Sequence, residues 1–334
     1  MKAQLLTKIG SIETNPLIYQ EVPTPEVKSN EVLIRIKACG VCHSNIHMIE
    51  GEFQEFGIPS KLPIIPGHEI TGIIEEKGKD VEGLEVNQRV GVQVLYESCR
   101  KCEYCTTGRE NLCLSKKTTG ERCDGGYAEY IVAPYDFIYS LPDNLSFEEA
   151  TPLFCAGVTA YRAVKRASIT FGQRVAIVGI GGVGHMALQL AKLAGAEVIA
   201  IDKYDKQLKL AEELGAEQIL LARDAEAYLS KEGKVDVVML HAPSKDAIDL
   251  SFKILKRGGL VLMAVLGNLR FSFAEEYTII GSVMGTRKDM KETLRLASLG
   301  KIRTKWKAYN LTEANDVLLR LKRGEIVGRA LLIP

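Results

Sequence analysis

The 334-residue sequence has almost no excess of either charge: 43 lysines and arginines stand against 42 aspartates and glutamates, a formal net charge of +1. No arm or stripe of basic residues runs along it, so the footprint of a nucleic-acid binder is missing. Long apolar runs are missing too. The longest, such as 260–267, fall far short of the roughly 20 residues that a bilayer crossing takes, which excludes a membrane-spanning helix. The first ten residues hold no long apolar segment and no small-residue cleavage signal, so no secretory leader is expected and the expected location is the cytoplasm. No repeat or low-complexity tract interrupts the chain. With 46% hydrophobic and 25% charged residues it reads as an ordinary globular protein, long enough for two domains.

What is present begins with eight cysteines: Cys39, Cys42, Cys99, Cys102, Cys105, Cys113, Cys123 and Cys155. In a long chain without a leader their spacings point to thiolate ligands in a reducing compartment rather than to a disulfide framework. The first 150 residues are dense in glycine and proline, with short β-like runs at 32–37, 71–75, 89–94 and 127–132, the pattern of an irregular all-β unit. Ser146 and Glu149 form an S-x-x-E capping box at a helix start, and the texture changes there. Strands are predicted at 174–178, 197–201, 218–221, 235–240 and 259–265, with helices at 182–194, 205–214 and 244–255 between them. Such alternation implies a parallel sheet covered on both faces, an α/β doubly wound fold. After about residue 283 come a helix, a β segment near Trp306, a helix around 313–321 and a last strand at 329–333.

Gly179-Ile180-Gly181-Gly182-Val183-Gly184 matches G-x-G-x-x-G. Following a buried strand and opening an amphipathic helix, it predicts a Rossmann dinucleotide site. Gly179 permits the tight turn, Gly181 lets the backbone approach a pyrophosphate, and Gly184 lets helix pack on sheet, with the anion on the helix N-terminus. The next strand ends in Asp202, suited to the adenosine ribose diol and repellent to a 2′-phosphate, so NAD is favoured over NADP; the adjacent Lys203 is also placed at the cofactor.

Cys99, Cys102, Cys105 and Cys113 put four thiols within fifteen residues. A closed structural zinc fits best; two disulfides, an iron–sulfur cluster or a zinc ribbon are the alternatives. Cys42, His68 and Cys155 are scattered, and spacing alone does not join them.

The runs ACGVCHSNIH, PGHEITG, the four-cysteine lobe, FCAGVTAY and VGIGGVG together resemble the zinc-containing medium-chain alcohol dehydrogenases, in that family's order and over essentially the whole chain. The resemblance implies a GroES-like catalytic domain at 1–150, with 283–334 returning to it, around a Rossmann domain at 151–282. It implies a catalytic zinc on Cys42, His68 and Cys155, the Cys₂His set known for alcohol dehydrogenases, besides the structural zinc, so two zincs per chain. Glu69 is implied to approach the metal or to pair with Arg329, which is also placed among the cofactor contacts. Ser44 and His47 are implied as a proton relay, His43 as a pyrophosphate contact, Thr159 as packing behind the nicotinamide with Gly182 and Val183 in the cofactor loop, and Phe53, Leu95 and Tyr96 as the substrate pocket. The implied activity is reversible hydride transfer between a primary or secondary alcohol and NAD, giving an aldehyde or ketone, in a homotetramer or dimer. Two positions depart from the family: Asn45 stands where relatives commonly place an Asp that supports the zinc-bound histidine, and Gln207 where a Lys is frequent, with Lys206 beside it.

Overall fold

The computed structural model describes residues 1–334. It divides into two compact units, one of residues 1–155, 284–299 and 304–334, the other of 156–283 and 300–303. The second unit is built on a six-stranded parallel sheet, and its strand order follows from right-handed crossovers. Arg174–Val178 lies at the centre, flanked on one side by Glu197–Asp202 and Gln218–Leu221, and on the other by Val235–Leu240, Leu255–Met263 and Thr278–Gly281. The central strands are near-continuous valine, isoleucine and alanine because both faces are covered by helices. The chain reverses direction of winding beside Arg174–Val178, the place where an open α/β sheet offers a crevice at its carboxyl edge.

In the first unit the backbone of the fold is the 11-residue strand Glu31–Val41. It pairs antiparallel with Glu69–Lys77, from Val32 opposite Lys77 to Gly40 opposite Glu69, with register shifts near Leu33 and Ile36. Those irregularities bend and twist the strand, so that it can also pair with Tyr130–Pro134 at one end and Arg329–Ile333 at the other. The last strand runs parallel to Trp306–Asn310, so the C-terminal segment completes this sheet. Buried side chains from Leu6 to Leu332 form one core beneath it.

Several local signals act as the sequence suggested. The Ser146 hydroxyl accepts from the Glu149 N–H at 3.1 Å, and the Glu149 carboxylate accepts from the Ser146 N–H at 2.9 Å. The helix they start is short, Phe147–Ala150, and passes through a 3₁₀ turn at Thr151–Phe154 before Ala156–Ala167. The cofactor-side helix begins at Gly184, two residues later than the periodicity indicated, because the turn around Gly181 and Gly182 is still irregular. Other elements were not legible, four of them belonging to the sheets and their cover. These four are the antiparallel pair Lys2–Leu6 and Leu17–Glu21, the helix Ala222–Glu232 and the sheet-edge strand Thr278–Gly281.

Candidate functional site

Cys42 directly follows the long strand and stands at the N-cap of the helix His43–Ile49. His68 and Glu69 open the strand paired with it, and Cys155 sits at the break between the 3₁₀ turn and the next helix. The backbone thus gathers residues from three distant segments. One ligand atom from each of Cys42, His68, Glu69 and Cys155 lies within 4.8 Å of all the others, and all four residues are buried. The two sulfurs are 3.9 Å apart. A tetrahedral zinc with bonds of about 2.3 Å sets its sulfurs about 3.8 Å apart, so the spacing fits. Either sulfur can donate to the other, and that contact pushes the Cys42 thiol well below, and the Cys155 thiol well above, the ordinary thiol range. Both ring nitrogens of His68 are sealed from solvent without a hydrogen-bond partner, which a native interior rarely tolerates unless a ligand is due there. Glu69 is the odd member. Arg329, itself 3% exposed, reaches it through Nε at 2.9 Å and through a second, shorter contact. The carboxylate is bidentate on the guanidinium, so two sulfurs and an imidazole are left as the free donor set, one suited to zinc with an open fourth position.

The four-cysteine lobe is similarly arranged. Cys99, Cys102, Cys105 and Cys113 all bring their sulfurs within 4.8 Å, with Cys102 3.5 Å and Cys99 3.9 Å from Cys105. No disulfide forms. Backbone N–H groups of Lys101 and Cys102 point at the Cys99 sulfur and lower its thiol to about 6. The lobe offers almost no apolar core, and Leu114 is 93% exposed. Four thiols so placed could hold a metal ion, a cross-link able to take the place of hydrophobic burial.

The helix His43–Ile49 carries the residues read as a relay. Ser44 and His43 are half-buried, and burial lowers the His43 imidazole below its usual range. His47 lies 4.9 Å from the His43 ring and 5.3 Å from the Phe53 ring, centroid to centroid, and its Nδ1 is 2.7 Å from Glu52. Glu52 was not singled out from sequence; nothing local marks it, since the contact depends on the turn after the helix. The Asn45 oxygen accepts from the Cys42 N–H at 3.2 Å and from the Tyr127 hydroxyl at 3.0 Å. It caps its own helix and does not bond His68. Of the residues read as a pocket, Phe53 lies against His47 with its ring tilted by 41°, and Leu95 is buried opposite Thr118. Tyr96 donates its hydroxyl to Val132 and lines a groove of about 750 Å³ with Met1, Lys61 and Cys123; none of the metal-group residues lines that groove.

In the second unit Gly179 has φ +94°, and a Cβ on Gly184 would stand 1.8 Å from the Gly179 carbonyl oxygen, so neither position takes another residue without rebuilding the turn. A Cβ on Gly181 would meet nothing within 4 Å: the approach to the loop backbone there is open. Gly182 and Val183 complete the turn into the helix Gly184–Leu193. Asp202 ends its strand and accepts from the Ile180 N–H at 2.7 Å and the Tyr204 N–H at 3.0 Å, which ties it to the glycine turn. Burial raises its carboxyl, and those N–H groups pull it back. Lys203 and Lys206 both lie over the Tyr204 ring, at 4.9 and 5.6 Å. Gln207 is buried. Thr159 is half-buried on Ala156–Ala167.

The family model of the alcohol dehydrogenase GroES-like domain matches residues 28–143, and that of the zinc-binding dehydrogenase matches 182–298. An alcohol dehydrogenase of Geobacillus stearothermophilus is 43% identical over 326 residues, 95% of this chain and 96% of the relative. Among solved structures, the alcohol dehydrogenase of Aeropyrum pernix superposes with a TM-score of 0.93 at 36% identity, covering 100% of both chains. A cobalt- and zinc-bound thermostable alcohol dehydrogenase of Pyrobaculum aerophilum gives 0.91 at 32% identity, covering 100% of this chain and 99% of that one.

Proposed function

This chain belongs to the zinc-containing medium-chain alcohol dehydrogenases, and from that premise we propose how its own residues carry the reversible oxidation of a primary or secondary alcohol to an aldehyde or ketone, with NAD as the hydride acceptor. The observation that carries the reading is the buried convergence of Cys42, His68 and Cys155 from three segments, in a chain whose other unit presents an open glycine turn at a sheet switch point.

Cys42, His68 and Cys155 would hold a zinc ion, which would supply Lewis acidity toward an alcohol or carbonyl oxygen. The protein does the rest. Arg329 holds Glu69 beside the donor set without letting its charge go uncompensated. Ser44 is the hydroxyl nearest in sequence to Cys42 that can accept the alcohol proton. His47, one helical turn on, passes it outward, and Glu52 on its Nδ1 orients the ring. Phe53, Leu95 and Tyr96 are read as the apolar surroundings of the alcohol.

In the dinucleotide unit Gly179 to Gly184 receive the pyrophosphate and Thr159 backs the nicotinamide; His43 and Arg329 are read as further cofactor contacts. Asp202 takes the ribose diol with the oxygen capacity left over from Ile180 and Tyr204, which favours NAD; Lys203 stands beside it. The four-cysteine lobe is assigned a second, structural zinc. No helix of the chain is long and apolar enough to cross a membrane. With all eight cysteines unbridged, a reducing cytoplasm is the natural setting, and a homotetramer is the proposed assembly. The test is nicotinamide absorbance, at about 340 nm, with a panel of primary and secondary alcohols offered first with NAD and then with NADP. Reduction of NAD by at least one alcohol is expected; no reduction with any alcohol, on zinc-loaded protein, would refute the reading.

A further inference from the structure

The two strands that lead to Cys42 and His68 part company just before those donors. Glu31–Val41 and Glu69–Lys77 pair as far as Gly40 opposite Glu69. Cys42 stands two residues past that last pair on one strand, and His68 one residue before it on the other. The ladder that joins the two segments has therefore ended before either donor. A metal site needs its ligands held to within a few tenths of an ångström, so a contact beyond the ladder has to set their separation.

Tyr127 occupies that place. It is fully buried and touches both segments. On the His68 side its N–H donates to the Pro66 carbonyl at 2.9 Å, and the preceding Gly126 N–H donates to Gly67 at 2.9 Å. Its ring lies so close to Gly67 that a Cβ there would stand 2.4 Å from the ring's Cδ1. Gly67 also has φ +95°, so the residue before His68 is fixed both by its own conformation and by the ring. On the Cys42 side the Tyr127 hydroxyl donates to the Asn45 oxygen at 3.0 Å, and the same oxygen accepts the Cys42 N–H at 3.2 Å. The orientation of that amide is not interchangeable, because a backbone N–H can only donate. Tyr127 is itself anchored from a third direction, its carbonyl accepting from the Gln4 N–H at 2.8 Å. Three direct hydrogen bonds and a ring contact thus run from one buried side chain and its backbone to the neighbours of two donors.

We propose that Tyr127 is a positioning residue for the metal group: its backbone and ring fix the His68 segment, and its hydroxyl, through Asn45, fixes the Cys42 segment against it. The brace acts on main chain rather than on ligand side chains, so it needs no acid at position 45. It gives Asn45 a task other than the one relatives give their Asp, namely holding the backbone of Cys42. The inference rests on the assignment of Cys42 and His68 as zinc ligands.

The test reads zinc release, not turnover. Zinc-loaded wild-type protein, Tyr127→Phe, Asn45→Ala and the double variant are challenged with a chromogenic chelator. Tyr127→Phe removes one oxygen and keeps the ring on Gly67 and the N–H on Pro66. It should lose one of its two zincs about 10-fold faster than wild type, the lower end of the range for a lost outer partner. The four-cysteine zinc should be unchanged, an internal measure of folding. Asn45→Ala should release the same zinc at least as fast. The double variant should match Asn45→Ala alone, because without the amide the hydroxyl has nothing to hold; members of one hydrogen-bonded chain are non-additive in this way. In cobalt-substituted protein the absorption of the Cys₂His site should shift in Tyr127→Phe. Wild-type release rates or an unshifted cobalt spectrum in Tyr127→Phe overturn the proposal. So does equal acceleration of both zincs, which marks general loosening, and so do additive effects in the double variant, which detach Tyr127 from Asn45. If the wild-type chain holds only the four-cysteine zinc, the proposal falls together with the reading of Cys42 and His68; two zincs with unaltered release in Tyr127→Phe remove the role of Tyr127 alone.

Discussion

Arg329 and Glu69 bury two charges at the edge of the metal group, and each is tolerable only because of the other. Replacing Arg329 by Met keeps the bulk and strands the Glu69 carboxylate in the interior. Breaking a buried pair in this way costs about 3–5 kcal/mol, so the Arg329→Met variant is expected to unfold at clearly lower denaturant concentration, and an unchanged midpoint would show that the pair is not buried in solution. Asp202 is a milder case. Its two oxygens serve Ile180 and Tyr204 as well as any ribose, so Asp202→Asn preserves an acceptor for the turn but removes the charge. A charge-assisted hydrogen bond is worth about 1.5–3 kcal/mol, and the ratio of kcat/KM for NAD over NADP should fall by about tenfold or more. A ratio that does not move would take the ribose role from Asp202. Both residues were visible in the sequence, Asp202 because it ends the strand after a glycine motif, Arg329 only through resemblance. Their full commitments were not, since the partners of Asp202 lie in the turn it helps to shape, and Glu69 is 260 residues from Arg329.

Among the elements, those with strong internal periodicity were legible and those held by distant partners were not. The helix Gly184–Leu193 and the strand Arg174–Val178 bury runs of apolar residues that declare themselves. Ala222–Glu232 buries only Ala225 and Leu229, and its remaining charged face looks like a loop until the sheet beneath it is known. The first hairpin, Lys2–Leu6 with Leu17–Glu21, is joined by a long connection that carries no tight-turn signature. The helix Arg287–Ser298 shows how an element can depend on another far away. Its first N–H, on Arg287, donates at 2.7 Å to Glu110, the residue that opens the 3₁₀ turn leading to Cys113. The four-cysteine lobe thus caps a helix of the returning segment. Glu110→Ala should cost about 0.5–2 kcal/mol, as lost helix caps do, and should lower the melting temperature without changing the zinc count. If the zinc count drops instead, Glu110 acts on the lobe rather than on the helix.

Taken whole, the molecule separates its tasks between units with different kinds of legibility. The dinucleotide unit is local: a strand, a glycine turn, a helix and an acidic residue follow one another within 29 residues, Arg174 to Asp202, so the sequence alone points to it. The metal unit is assembled from positions 42, 68, 69 and 155 by strand pairing, and no spacing rule joins them. Only the resemblance to a family named them beforehand, and Asn45 was visible at once as a departure from it. The central claim is that the three-ligand group holds the zinc that turns over alcohol, separately from the zinc of the four-cysteine lobe. Zinc content per chain, measured together with NAD reduction in wild type and Cys42→Ser, tests it most directly. The account predicts two zincs and turnover in wild type, and one zinc, an unchanged melting profile of the lobe and no turnover in Cys42→Ser. Full activity in Cys42→Ser, or one zinc per active wild-type chain, would contradict it.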